Sequence, residues 1–143
     1  MKYNVPIVLA LSVLLLNTLP TNAAEVHVVV HNSNSDEIDI KEISKIFLGK
    51  AKSFPNGSSA IPINQPENSK ITSAFNREVL NKSSSQLKAY WSKLVFTGKG
   101  TPPRSVDSDT EVLELVTNNP NLIGFVSSAS LNDNVKVIAS FKM

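Results

Sequence analysis

Hydrophobic and polar positions along the chain fall into short blocks whose period changes from one block to the next. Val5 to Leu16 is apolar apart from Pro6 and Ser12. A run of about twelve residues is too short to span a bilayer as a helix, which needs about 20. With Lys2 ahead of it and the small residues of Thr21-Asn22-Ala23 behind, it reads as a signal-peptide core cleaved after Ala23. The alternative is an uncleaved anchor or a buried helix. Residues 24–143 then form one domain, long enough to bury a core.

Glu25 to His31 is a β-branched run and predicts a buried strand. Asp39 with Glu42 makes a capping box, and Ile38 with Ile43 a hydrophobic staple. Ile40, Ile43, Ile46 and Phe47 form the apolar face of the first helix, which Gly49 ends. Phe54 to Ser58 carries turn chemistry. Ala60 to Asn64 predicts a short strand whose proline suits an edge or terminal position.

A second helix starts near Asn68 or Ser69 and buries Ile71, Ala74, Phe75 and Val79. A third starts near Ser83, boxed by Gln86, and its stripe of Leu87, Tyr90, Trp91 and Leu94 predicts core packing. Thr97 to Pro103 is a loop. Ser108 with Glu111 opens a fourth helix that stops at Asn118-Asn119-Pro120. Leu122 to Val126 and Val135 to Ile138 are the remaining strands. Strands alternating with helices predict an α/β fold, a mixed and largely parallel sheet flanked by helices.

Charge and composition narrow the function. The chain has 14 Lys and Arg against 12 Asp and Glu, and no cysteine. A near-neutral balance without a basic run speaks against nucleic acid and against membrane insertion after signal cleavage. The lack of cysteine excludes disulfides, thiolate metal sites, a cysteine nucleophile and a lipid-modified cysteine anchor. His27 and His31 share a strand face, but about 13 Å of rise separates them, too far for one metal without a bend. There is no G-x-S-x-G elbow, P-loop, dinucleotide fingerprint or calcium loop. The expectation is a protein without catalytic residues, cofactor or metal, so not an enzyme. The segment Asn68 to Thr72 offers one ligand-binding feature. Free N–H groups at a helix start attract anions, Ser69 and Thr72 add hydroxyls, and Lys70 adds charge. The competing reading is that Ser69 only caps the helix.

The order of segments resembles a known family. Ile46-Phe47-Leu48-Gly49-Lys50, Phe54-Pro55-Asn56-Gly57, Ile61-Pro62-Ile63, Tyr90-Trp91, Phe96-Thr97-Gly98, Pro102-Pro103 and Asn119 to Val126 resemble, in order, segments of periplasmic phosphate-binding proteins of ABC transporters. The likeness runs from about Val26 to Val126 and matches the second of the family's two lobes. It implies one lobe of a type 2 periplasmic binding protein and one wall of a phosphate cleft. The family's R-x-x-x-S-G-T anion motif aligns with Gln65, Ser69, Lys70 and Ile71, so only the serine is kept. The resemblance implies a periplasmic solute-binding protein that takes phosphate or another small oxyanion for an ABC permease. Ser69 is the residue it carries over; Lys70 and Thr72 follow from physical chemistry alone. A second protomer or another envelope protein could close the site. The alternative is an accessory or protein-interaction module that reuses such a lobe with a degenerate ligand site.

Overall fold

The computed structural model of the protein describes residues 24–143, so the signal-peptide expectation for 1–23 lies outside the described residues. Five strands are present: β1 (Glu25–His31), β2 (Ile61–Asn64), β3 (Arg104–Ser105), β4 (Leu122–Ser127) and β5 (Val135–Lys142). They form one sheet in the order β3-β2-β4-β1-β5. The sheet is mixed. β2 runs parallel to β3 and β4, while β1 runs antiparallel to β4 and β5. The long ladders are the antiparallel ones, so "largely parallel" describes only the β2 side. The β-branched run of β1 explains its central place, because Val26 and Val28–Val30 are fully buried and need cover on both faces.

Pro62 is not on an edge strand, because β3, an element too short for any periodicity to reveal, lies outside β2. The missing N–H is tolerated because the two neighbours use different halves of β2. Ile61 and Pro62 face β4, and Ile63 and Asn64 face β3.

Helices cover both faces. On one side α1 (Ile40–Phe47) and α2 (Lys70–Phe75) pack on Val26, Val28, Val30, Ile123 and Phe125. The Phe75 and Phe125 rings stack with centroids 4.1 Å apart, and Phe47 tilts onto Phe75 at 4.6 Å. On the other side α4 (Asp109–Asn118) buries Val112, Leu113 and Val116 against Val29, Leu122 and Val126. The cap at Asp39 forms, its Oδ1 accepting from the Glu42 amide at 2.8 Å, and Ile38 and Ile43 are both buried as a staple. Ile40, expected on the apolar face, is instead 44% exposed.

α3 (Ser84–Phe96) departs most from expectation. Its capping box with Ser83 and Gln86 is complete, yet it buries no residue. Leu87 and Tyr90 lie part-buried against the core, and the Tyr90 hydroxyl donates to the Leu48 carbonyl at 2.7 Å. Of the stripe expected in the core, Leu87 and Tyr90 do pack against it, while Trp91, with Leu87, lines an open groove.

Candidate functional site: a groove beside α3

The groove is set where β2 ends and α2 begins, with α3 as its far wall. After Phe75 the α2 helix loosens into a π-helical turn, Asn76–Leu80, closed by Asn81 at φ 51°. Such turns widen the helix by one residue. This one places Asn76 and Leu80 in the groove. The Ser83 cap then restarts the chain as α3. Gly49 ends α1 at φ 72°, and a Cβ there would lie 3.3 Å from the Trp91 ring. That close approach seats Trp91 along the groove.

The cavity holds about 630 Å³, within the range of small-molecule and side-chain binding sites. Phe47, Leu80, Leu87, Trp91, Val95, Phe96 and Pro102 give it an apolar lining. Phe96 is 93% exposed and Val95 52%, an unusual display of large apolar surface on one helix end. The polar contributors are mainly neutral: Asn64, Gln65, Thr72, Asn76 and three serines. Glu67 and Lys88 are the charged side chains among the lining residues. Asn76 is only 6% exposed, yet it lines the groove.

The residues expected to hold an anion are split by the fold. Thr72 lines the groove and is buried. The Ser69 hydroxyl accepts from the Thr72 amide at 3.3 Å and lies 2.8 Å from both the Pro66 carbonyl and Thr72 Oγ1. It serves as the N-cap of α2, with its hydrogen-bonding capacity largely engaged. Lys70 is exposed and does not line the groove. Ile71, aligned with the family's threonine, faces the core.

Gln65 belongs to a polar cluster that sequence reasoning did not find. Its Nε2 donates to Asp109 Oδ1 at 2.6 Å and to the Phe125 carbonyl at 2.8 Å. Asp109 Oδ2 accepts from the Ser127 hydroxyl and from the Ser127 amide at 3.2 Å. Burial pushes the Asp109 carboxyl up, but hydrogen bonds from Ser127, Gln65 and Ser130 together outweigh it and hold it below the ordinary carboxylate value. An ionised Asp109 therefore stands behind Gln65, the residue that aligns with the motif's arginine. The partners lie 44 and 18 residues from each other in sequence, beyond the reach of any local signal. The histidines are apart: His27 Nδ1 is 2.7 Å from Ser140 Oγ, and His31 Nδ1 is 2.8 Å from Ser33 Oγ.

No protein-family model and no curated protein matches the chain. Solved structures do. A phosphate ABC transporter substrate-binding protein with bound phosphate from Clostridium perfringens superposes with a TM-score of 0.64 at 18% identity, over 81% of this chain and 45% of that one. PstS from Borrelia burgdorferi gives 0.59 at 18% identity, over 82% and 47%. An ABC-type phosphate transport receptor from Vibrio cholerae gives 0.53 at 17% identity, over 81% and 46%. The fold is thus that of one lobe of a phosphate-type binding protein, and the chain spans less than half the length of these neighbours.

Proposed function

We propose that this protein is a non-catalytic binding module of the periplasm that keeps the cleft wall of a binding-protein lobe and uses it to hold a protein partner. One observation carries the reading: the groove beside α3 is apolar, open and flanked by exposed Val95 and Phe96. Exposed apolar patches of this kind mark interaction sites. The signal peptide at 1–23 and export of 24–143 as one domain are part of the same reading.

A second reading is that the module receives phosphate or another small oxyanion at Ser69, Lys70 and Thr72, alone or for an ABC permease. It is supported by the phosphate bound in the Clostridium perfringens neighbour. Three features weigh against it. The Ser69 hydroxyl is engaged in its cap, Lys70 points elsewhere than the groove lining, and Gln65 is tied to an anionic Asp109.

Thermal unfolding in phosphate, sulfate and chloride at matched ionic strength separates the two. A ligand at about 100 times its dissociation constant stabilises by about 2.7 kcal/mol, a midpoint rise of several degrees for a domain of this size. The expected outcome is no phosphate-selective shift up to millimolar concentration. A selective rise that Ser69→Ala removes would overturn the interaction reading in favour of oxyanion binding.

A further inference from the structure

We infer that the partner in the groove is a second copy of this chain, paired about a two-fold axis so that each copy seats the other's Phe96. This rests on the reading of the groove as a protein-binding surface. A two-fold interface uses one patch twice, so that patch must be complementary to itself. Both knob and hole must be on it, and any charge must find its opposite. This patch meets those conditions. The knob is Phe96, 93% exposed at the end of α3. The hole is the 630 Å³ groove that α3 itself walls, with Leu80, Leu87 and Trp91 on its surface.

The charges agree. Glu67, from the β2–α2 loop, and Lys88, from α3, are the groove's two charged residues and are of opposite sign. Neither is in an ion pair among the described residues, whose close pairs are His27–Glu25, Lys45–Glu42 and Arg77–Glu78. In a two-fold pairing Glu67 of each copy can meet the partner's Lys88, giving two reciprocal contacts. The formal net charge of +2 imposes little repulsion between copies. Phe96 stands at the groove's rim with 93% of its surface exposed, more than a small ligand within the groove would cover and an area that a second copy can cover. Trp91, the single tryptophan, lies in the interface and reports on it.

The test is sedimentation velocity and Trp91 emission on the purified protein across roughly micromolar to 100 micromolar concentration. The expected result is a reversible dimer whose Trp91 emission shifts to the blue as it forms. Phe96→Glu should give a monomer at every concentration with an unchanged circular dichroism spectrum, since the side chain contacts water and not the core. Glu67→Lys and Lys88→Glu should each weaken association by roughly tenfold, through like charges brought together. The double variant Glu67→Lys with Lys88→Glu should recover it. A monomer at 100 micromolar, a dimer indifferent to Phe96→Glu, or a double variant weaker than either single one would overturn the proposal. These failures are distinct from failure of the interaction reading, which a phosphate-selective, Ser69-dependent stabilisation would bring about.

Discussion

Two residues carry burdens that their chemistry makes measurable. Gly124 lies in β4 beneath α4, where an added Cβ would come 2.6 Å from Val112 Cγ1. No real contact is that short, so the buried Val112 side chain or the elements around it would have to shift. Gly124→Ala is expected to destabilise by about 1–3 kcal/mol, read from urea unfolding, and Val112→Ala in the same chain should recover part of the loss. Asp109 is the second. Its folded-state pKa is below the unfolded value of about 3.9, so the unfolded state binds more protons at acid pH. Its contribution is present above that value and is lost as pH falls through the folded pKa. Asp109→Asn should cost about 1–3 kcal/mol near neutrality, since hydrogen bonds to a charged group are removed. A series of unfolding curves between about pH 6 and pH 2 should then fall less steeply for the variant than for the parent.

At the scale of elements, α3 is set apart from the rest. It is joined through Tyr90, Leu87 and the contact of Trp91 with Gly49, and it buries none of its residues fully. Segments with few buried contacts open locally at lower free energy than the core. In dilute, monomeric protein the α3 amides should therefore exchange faster than those of β1 and β4, by exchange mass spectrometry. Tyr90→Phe, which removes the bond to the Leu48 carbonyl, should speed that exchange further while lowering global stability by only about 1 kcal/mol. The helices were legible in the sequence because their signals are local. Asp39, Ser69, Ser83 and Ser108 all form side-chain caps as their spacing implied. What lay across from an apolar stripe was not legible. Leu87, Tyr90, Trp91 and Leu94 have helical spacing whether they meet a core or a groove. The π-turn at Asn76–Leu80 has no sequence rule behind it, and the Gln65–Asp109–Ser127 cluster is assembled only when the start of α4 meets the ends of β2 and β4.

For the whole molecule, the governing fact is that the first strand lies between the last two. β1 pairs with β4 on one side and with β5 on the other, across separations of about a hundred residues. Val28 and Val30 are fully buried, and Ile138, Ala139 and Phe141 of β5 pack against the cluster to which they belong. β5 also runs to Lys142, four residues beyond the Ile138 that periodicity indicated, because its outer half alternates part-buried and exposed positions as an edge strand does. The α1, α2 and α4 layers pack on a sheet that these pairings hold together, so folding cannot finish before β5 is in place. A chain ended at Asn134 would bare one side of β1 and lose Val135 from the α4-side core. The expected outcome is loss of cooperative unfolding, measured by denaturant titration followed by far-ultraviolet circular dichroism, not a modest fall in midpoint. A sharp transition in that truncated chain would show that β1, β4 and the helices close a core without β5.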